Sequence, residues 1–284
     1  MSGYDYHRPL SLAEVFELRR VSPEAELIAG GTDMMVRVKN HVSSPADLIS
    51  LRNIENLSGI EPGDVTRIGA LTTISNLIEH AELAEKFPVL VEAASQLGSP
   101  QIRNVATLGG NLCNCSPCAD TATPLLVHEA SLRLQSPDQT REVPLQEFFV
   151  GPGQTCAAPE EILTDILLPS PKPNARTVFM KKGRVKMDLA IASLSVLLEM
   201  DNDTCTKARL AAGSVAPVAL RLFEVEQFLE GKQLNRSLAA LAGKQAAKII
   251  SPISDIRASQ EYRRQIIEVF VKRSIEKLIG IKPS

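Results

Sequence analysis

The stretch "LIAGGTDMMVRVKN", residues 27–40, joins an apolar run to a second apolar, helix-compatible run through two adjacent glycines and a polar pair. Glycine allows positive φ and lets a ligand approach the main chain without an intervening Cβ. Exposed amides in such a loop form a concave anion site, which the N-terminus of a following helix strengthens. Thr32 or Asp33 is positioned to cap that helix. Taken alone, the pattern fits a plain strand-to-helix turn as well as a phosphate-binding loop.

A second Gly-Gly pair lies in "QIRNVATLGGNLCNCSPCADTATPLL", residues 101–126, among small hydrogen-bonding side chains. Two such loops on one fold could hold the two ends of a long phosphorylated cofactor. Asn and Thr side chains would bind its ribityl or adenosine hydroxyls, and glycine amides would bind its diphosphate. Neither loop matches GxGxxG or GxxxxGK[ST], so Rossmann and P-loop sites are excluded. "GPGQTC", residues 151–156, lacks the third glycine and is predicted to be a turn.

Composition and charge exclude several classes of protein. The chain has 284 residues, 44% of them hydrophobic, which is enough for two or three cores. A net charge of −2 gives no basic field for nucleic acid. "MSGYDYHRPL" lacks the features of a secretory signal, and the longest apolar stretch is shorter than the roughly 20 residues that span a bilayer. Five cysteines, an odd number, favour a reduced, cytoplasmic protein without a membrane span.

Hydrophobic periodicity predicts an α+β protein. Strands are predicted in "AELIAGG", "DLISLRNI", "VTRIGALTT", "SLRLQS", "EEILTDILLP" and "DLAIASLSVLLEMD". Helices are predicted in "TDMMVRVKN", "ISNLIEHAELAEKF", "PVLVEAASQLG", "TPLLVHEA", "LFEVEQFLEGK", "NRSLAALAGKQAAKIIS" and "EYRRQIIEVFVKRSIEKLI". "PSPKPNAR", residues 169–176, has three prolines and is predicted to be a linker between two α+β regions.

"LIAGGTDMM", "QIRNVATLGGNLCNCSPCAD" and "EEILTDILLP" resemble the FAD-binding subunit of the molybdenum hydroxylases, such as bacterial xanthine dehydrogenase and aerobic carbon monoxide dehydrogenase. The resemblance runs from about Tyr6 to about Leu278 and includes "GSVAPVALR" and "RASQEYRR". It implies an α+β fold with a vanillyl-alcohol-oxidase (PCMH)-type FAD-binding domain over residues 1–172, made of subdomains of about 1–55 and 56–172. A smaller α+β C-terminal domain of the carbon monoxide dehydrogenase flavoprotein type would follow over residues 177–284.

The resemblance also implies cofactor-binding positions. The first loop would wrap the FAD diphosphate, and the second loop and two later positions would complete the site. The implied residues are Ala29, Gly30, Gly31, Thr32, Asp33, Met34, Thr107, Gly110, Asn111, Ser116, Asp120, Leu163 and Lys181. A lysine cation near N1 of the isoalloxazine ring would stabilise the anionic reduced flavin. The alternative for Lys181 is a solvated surface lysine, since Lys182 and Arg184 are beside it.

Three cysteines of the second loop, Cys113, Cys115 and Cys118, form CxCxxC, and Cys156 is a possible fourth ligand for zinc or an iron–sulfur cluster. Some relatives carry a [4Fe–4S] cluster on an insertion in this region, and this chain has no such insertion. We therefore predict no metal here and expect small, polarisable packing residues near the flavin.

The other charged and imidazole side chains give weaker signals. The four histidines have no partners at ligand spacing, and His80 and His128 are expected on a helix surface or in packing. Five basic residues of the last helix are predicted to form a solvated face, with contact to a partner subunit as the alternative; they are Arg263, Arg264, Lys272, Arg273 and Lys277.

The implied function is electron transfer rather than substrate oxidation. In this family a large molybdopterin subunit oxidises substrate, and a small subunit with [2Fe–2S] clusters carries electrons to FAD, which passes them to NAD⁺ or another acceptor. This agrees with the lack of an acid–base or nucleophile constellation, so no catalytic side chain is predicted. A xanthine-dehydrogenase-like complex is favoured by "QIRNVATLGGNLCN". The alternatives are a self-sufficient FAD-dependent oxidoreductase and a flavin-free interaction module.

Overall fold

The first part of the chain forms a small parallel sheet with two helices. The computed structural model describes residues 3–282. Strands β1 (Asp5–His7), β2 (Glu26–Ile28) and β3 (Asp47–Ser50) pair in the order β1-β3-β2. Helix α1 (Leu12–Val21) begins at Ser11, whose Oγ accepts a hydrogen bond from the amide of Glu14 at 3.2 Å. Helix α2 (Met34–Lys39) follows the first Gly-Gly pair, as predicted.

The middle part is built on a five-stranded antiparallel sheet. Its strands are β4 (Ile60–Glu61), β5 (Val65–Gly69), β6 (Ser131–Gln135), β7 (Thr140–Pro144) and β10 (Ile162–Pro169), in the order β4-β5-β10-β6-β7. A two-stranded ribbon joins β8 (Phe149–Gly151) to β9 (Gln154–Thr155), so "GPGQTC" is a turn as predicted, with Gly153 at φ +71°.

Seven short helices cover one face of this sheet and bury its apolar side chains, including Ile68 and Leu132. They are α3 (Ile74–Glu79), α4 (Ala81–Lys86), α5 (Pro88–Ser95), α6 (Pro100–Arg103), α7 (Leu108–Cys113), α8 (Ala122–Val127) and α9 (Leu145–Phe148). The single helix predicted over residues 74–87 is two helices, because the chain is extended at His80 (φ −81°, ψ 108°). The Nδ1 atom of His80 accepts from the amide of Leu83 at 3.3 Å and caps α4.

The last part is a four-stranded antiparallel sheet with three helices. Strands β11 (Ala175–Lys182), β12 (Ala192–Asp201), β13 (Thr204–Gly213) and β14 (Leu220–Arg221) pair in that order. The helices are α10 (Phe223–Leu229), α11 (Arg236–Ile249) and α12 (Gln260–Leu278). The strand predicted in "DLAIASLSVLLEMD" is confirmed as β12, and its side chains are buried on both faces of the sheet up to Met200. Helices α8 and α12 both contact β12, so the strand fastens the last part of the chain to the middle part.

The predicted solvated face of α12 is wrong for Arg263. This side chain is 2% exposed and donates to the carbonyl oxygens of Ile191 (2.5 Å) and Ser214 (3.0 Å) and to the carboxylate of Asp255 (2.7 Å). A buried guanidinium is tolerated because acceptors surround it. Arg263 therefore ties α12 to the loops at the end of the sheet.

Within residues 3–282, no helix combines the length and the apolar character that a bilayer-spanning segment needs. The predicted α+β class is confirmed by these elements. The division near residues 172 and 177 remains a prediction; β10 ends at Pro169 and β11 begins at Ala175.

Candidate functional site

A cavity of about 650 Å³ lies between the two Gly-Gly loops. This volume is within the range of roughly 300–1,000 Å³ typical of small-molecule sites. Its wall includes all but one of the predicted cofactor-binding residues: Ala29, Gly30, Gly31, Thr32, Asp33, Met34, Thr107, Gly110, Asn111, Ser116, Asp120 and Leu163. The fold thus brings together residues that are more than a hundred positions apart in the chain. Lys181 does not line the cavity.

The structure requires glycine at the two positions of the first loop for different reasons. A Cβ on Gly30 would lie 1.9 Å from the carbonyl oxygen of Val105, so only glycine lets the first loop pack on the chain that leads into the second. Gly31 has φ +74°, which a side chain at this position would strain. The glycine pair therefore fixes the loop against the protein and turns its backbone. Direct ligand approach is not the reason for either glycine.

The amides of the first loop are free. Within residues 3–282, none of the backbone amides of residues 30–34 donates a hydrogen bond to a protein acceptor. Asp33 occupies the N-cap position of α2, yet its side chain makes no capping bond. Successive unpaired amides around a residue with positive φ make an anion-binding nest. This loop thus has the geometry of an anion-binding element.

The amides of the second loop, in contrast, already have acceptors within the protein, and the expectation that they bind the diphosphate stays a prediction. Gly109 donates its amide hydrogen to Ala70 O at 2.8 Å. Gly110 donates to Thr107 Oγ1 at 3.1 Å, and Asn111 donates to Thr107 O at 3.0 Å. Thr107 is the N-cap of α7, so capping and sheet contacts consume these donors. The second loop offers side chains to the cavity instead of amides.

A buried ion pair stands behind the cavity wall. The Nζ atom of Lys181 lies 2.6 Å from Asp120 Oδ2 and 2.9 Å from the carbonyl oxygen of Gln96. The two side chains are 4% and 5% exposed, so the alternative of a solvated surface lysine is wrong. Burial raises the pKa of Asp120 to about 6, and Lys181 opposes that rise. Lys181 therefore acts on the cavity through Asp120.

Asp120 also has an acceptor without a partner. Its Oδ1 atom is buried and accepts no hydrogen bond within the described part of the chain. Buried carboxylate oxygens are normally satisfied, and an exception calls for an unseen donor. Because Asp120 lines the cavity, a ligand hydroxyl or N–H is the natural donor for this oxygen.

The remaining predicted side chains complete the wall. Asn111 Oδ1 accepts from Thr121 Oγ1 at 2.6 Å, which fixes the orientation of its amide group. Ser116 Oγ accepts from the amide of Cys118 at 3.2 Å. Leu163 lies on β10 at a register shift and is 6% exposed. The wall thus combines oriented polar groups with an apolar strand.

Known proteins with this arrangement are similar over nearly the whole chain. Residues 2–171 match the FAD binding domain in molybdopterin dehydrogenase, and residues 177–278 match the CO dehydrogenase flavoprotein C-terminal domain. The xanthine dehydrogenase FAD-binding subunit of Escherichia coli O157:H7 is 35% identical over 280 residues, which cover 97% of this chain and 96% of that protein. The chain belongs to the FAD-binding subunits of the molybdenum hydroxylases.

Further similarities confirm the predicted fold class. The carbon monoxide dehydrogenase medium chain of Afipia carboxidovorans is 33% identical over 277 residues, which cover 97% of this chain and 96% of that one. A solved carbon monoxide dehydrogenase of Hydrogenophaga pseudoflava, which lacks the Mo-pyranopterin moiety of its cofactor, has a TM-score of 0.94 and 30% identity. The match covers 98% of this chain and 97% of that one. This FAD-binding subunit therefore has the fold of the carbon monoxide dehydrogenase flavoproteins.

The cavity of this FAD-binding subunit fits the cofactor of its family. The free amides of residues 30–34 suit a diphosphate. Asn111, Ser116 and the unpartnered Oδ1 of Asp120 suit hydroxyl groups, and Leu163 with Ala29 offers apolar surface for a flat ring. The residue-by-residue assignment from the resemblance stays a prediction, but each chemical part of FAD has a matching group on the wall.

The cysteines of the second loop do not converge. Cys115 donates its thiol hydrogen towards the carbonyl oxygens of Gly151 (3.2 Å) and Gln154 (3.1 Å), and burial raises its pKa. Cys118 lies 3.6 Å from a guanidinium nitrogen of Arg257. Among residues 3–282, no group of three or more Cys, His, Asp and Glu is placed to hold a metal ion. Cys115 is thus a packing residue, and Cys118 joins the loop to the last part of the chain.

Several residues that line the cavity were not predicted from the sequence. Residues 157–159 and Glu161 form the wall next to Leu163, and Met187 to Leu189 border it from the loop after β11. Arg19 of α1 and Arg37 of α2 line it as well. Nothing in the sequence distinguishes these two arginines from other basic residues near helix C-termini, where cations are common. Their position in the cavity depends on how α1 and α2 pack.

Proposed function

We propose that this chain binds one FAD in the cavity between the two Gly-Gly loops and is the electron-exit subunit of a molybdenum hydroxylase complex. The observation that carries the proposal is the combination of free amides at residues 30–34 with the unpartnered buried Oδ1 of Asp120 on the same cavity. Bound FAD supplies the redox chemistry, because its isoalloxazine ring accepts electrons singly and releases two as a hydride.

The residues of the chain bind and orient the cofactor. The first loop holds the diphosphate with amides whose positions are fixed by Gly30 and Gly31. Asp120 accepts one hydrogen bond from the cofactor and keeps its charge at neutral pH because Lys181 is 2.6 Å away. The buried carboxylate and the buried ammonium together place a fixed dipole beside the cavity, which tunes the electron affinity of whatever is bound there.

The partners proposed for the chain are a large molybdopterin subunit and a small [2Fe–2S] subunit. Support comes from the relatives, which are described as a FAD-binding subunit and a medium chain, hence as parts of larger enzymes. In this arrangement the molybdenum centre oxidises substrate, the clusters deliver electrons, and the chain passes them to NAD⁺ or another acceptor. We propose a cytoplasmic location because reduced cysteines and a nicotinamide acceptor suit that compartment.

A xanthine-dehydrogenase-like complex is the proposed type. The identity of 35% to the xanthine dehydrogenase subunit exceeds the 33% to the carbon monoxide dehydrogenase chain by a small margin. The second-loop sequence "QIRNVATLGGNLCN" favours the same type. The substrate pocket would be on the large subunit, so substrate choice has to be tested on the whole complex.

The test is purification of the tagged full chain from its native cells under mild conditions. We expect one FAD per chain, co-purification of a large and a small subunit, and NAD⁺ reduction by the complex with xanthine. Flavin with substrate turnover but no partners would support a self-sufficient oxidoreductase instead. A chain that carries no flavin and takes up none on incubation with FAD would support an interaction module and refute the proposal.

A further inference from the structure

Two arginines stand out among the residues of the cavity wall. Arg19 is on α1 and Arg37 is on α2, and they are the only lysine or arginine residues within 3–282 that line the cavity. Neither was among the residues implied by the family resemblance. Both helices border the first loop, since Arg37 is one helical turn after Asp33 and α1 packs on the core cluster that includes Leu27.

Neither guanidinium is paired within the part of the chain that the structure describes. Across residues 3–282, the side chains of Arg19 and Arg37 make no hydrogen bond and no ion pair. Burial lowers the pKa of the Arg19 guanidinium, and the negative charge of Glu160 opposes that change. Arginine nevertheless stays protonated in proteins, so each side chain keeps its charge at the cavity.

The carboxylates of the same wall are in a different state, because most already have cationic partners. Asp120 is paired with Lys181 at 2.6 Å, and Asp188 is paired with Arg184 at 2.7 Å. The third carboxylate, Glu161, is paired with Arg141 at 2.5 Å, and Arg141 itself does not line the cavity. These three carboxylates are thus neutralised by the protein.

The fourth carboxylate of the wall, Asp33, makes no ion pair within residues 3–282; burial raises its pKa, and the charge of Arg37 opposes that rise. Arg19 is half-buried and Arg37 is exposed. A guanidinium that borders a cavity and is not held in an ion pair is available to an anionic ligand.

We propose that Arg19 and Arg37 are the cationic ligands of the diphosphate in the adenosine half of the dinucleotide, a role that rests on the proposed function. The free amides of residues 30–34 lie on the same side of the cavity and supply neutral donors. A diphosphate diester carries one negative charge on each phosphate, so two arginines neutralise it. The guanidinium fork matches phosphate oxygens in geometry and is less strongly hydrated than an ammonium. The pair therefore selects FAD over flavins that lack the adenosine diphosphate half.

The test compares ligands with and without phosphate on the full chain after its flavin has been removed. Arg19→Gln and Arg37→Gln are each titrated with FAD, with ADP and with riboflavin, and the dissociation constants are measured by fluorescence and calorimetry. Loss of a charge-assisted hydrogen bond predicts roughly tenfold to hundredfold weaker binding of FAD and ADP for each variant. Binding of riboflavin, which has no phosphate, is expected to stay within about twofold, because these side chains would not touch it.

Matched controls come from neighbouring cations on the same two helices. Arg20→Gln removes an exposed guanidinium that pairs with Glu17 at 2.7 Å, and Lys39→Gln removes an exposed ammonium on α2. Both control variants should bind FAD as the wild type does. A second measurement needs no variant: FAD affinity of the wild type should fall as NaCl rises, while riboflavin affinity should not.

The outcomes separate this inference from the proposed function. Unchanged FAD and ADP affinity in both variants, an equal loss for riboflavin, or a FAD affinity insensitive to salt would each overturn the role of the arginines. A wild-type chain that binds riboflavin and FAD equally well would overturn it too, although the proposed function would stand. A wild-type chain that binds no flavin of any kind would overturn the proposed function itself.

Discussion

Replacement of Lys181 by Met tests how the buried ion pair shapes the cavity. Methionine has a similar volume and no charge, so the change removes the ammonium that lies 2.6 Å from Asp120 Oδ2 while it keeps most of the packing. Both side chains are about 95% buried, so water cannot replace the lost partner. Breaking a buried pair by removing one member costs about 3–5 kcal/mol as long as the other member stays charged.

The cost depends on pH because Asp120 can take up a proton. Burial raises the pKa of this carboxyl to about 6, and Lys181 is the group that opposes the rise, so Lys181→Met raises the pKa further. For a carboxyl whose pKa is higher in the folded state than in the unfolded state, the favourable contribution is complete at low pH and is lost as pH rises through the folded-state pKa. In the wild type that loss is complete slightly above pH 6. In the variant it continues to higher pH.

The expected signature is therefore a stability difference that grows with pH. Near pH 5.5, where Asp120 is largely protonated in the variant, the cost should be about 1 kcal/mol, the value of a lost hydrogen bond. The difference should then increase by about 1.4 kcal/mol per pH unit, or roughly 2.7 kcal/mol between pH 6 and pH 8. The measurement is the free energy of unfolding of the full chain by urea, with FAD absent, at half-unit intervals.

Two control variants show whether the pH-dependent difference comes from the ion pair between Lys181 and Asp120. Lys182→Met changes the exposed neighbour of Lys181 on β11 and should give no pH-dependent difference. Lys181→Met combined with Asp120→Asn removes both charges and should restore a pH-independent difference. If Lys181→Met lowers the free energy of unfolding by the same amount at pH 5.5 and at pH 8, the reasoning is refuted. Such a result would mean that loss of the ammonium does not change the pKa of Asp120.

Three other expectations follow from the loops. Gly110→Val should abolish FAD binding, because its Cβ would lie 2.8 Å from the capping oxygen of Thr107 and its methyls would extend into the cavity; a full complement of yellow cofactor would contradict this. Gly3→Val, with nothing within 4 Å of the added Cβ, is its control. Gly30→Ala, 1.9 Å from Val105 O, should cost at least about 1–3 kcal/mol of unfolding free energy even without flavin, and an unchanged urea midpoint would count against it. Metal analysis of the purified chain should find no stoichiometric iron or zinc, whereas stoichiometric iron would reinstate a cluster on the CxCxxC sequence.

Much of the fold could be predicted because local patterns and tertiary environment agree. Strand β12 has alternating apolar residues and lies in the centre of its sheet, and helices α11 and α12 keep their periodic apolar stripes. Pro88 starts α5 as predicted. The helix predicted over residues 74–87 failed at one point, since the side chain of His80 caps a new helix. Here a side-chain acceptor replaces a backbone carbonyl of the helix. Such a replacement depends on neighbouring residues only and does not change the hydrophobic periodicity of the sequence.

The roles of the glycines show where the site could not be predicted. The sequence indicated correctly that both Gly-Gly loops face one cavity. The Gly-Gly sequence that the loops share does not indicate which backbone amides have acceptors. The amides of the first loop have none within residues 3–282, whereas those of the second loop donate to Ala70 O and to Thr107. Which donors are consumed depends on the strand and cap that each loop meets, and these come from distant parts of the chain.

What the sequence by itself determined is the family, the cofactor class and the order of elements, because those depend on motifs and periodicity along the chain. Only the tertiary structure decided the states of the charges. Lys181 is buried against Asp120, and Arg263 is buried among carbonyl oxygens. Arg19 and Arg37 border the cavity and make no ion pair with any residue from 3 to 282. The sequence does not show whether a lysine or arginine side chain is solvated, held in an ion pair or available to a ligand. Its energy depends on the groups that folding brings within a few ångströms of it, and these lie far away along the chain.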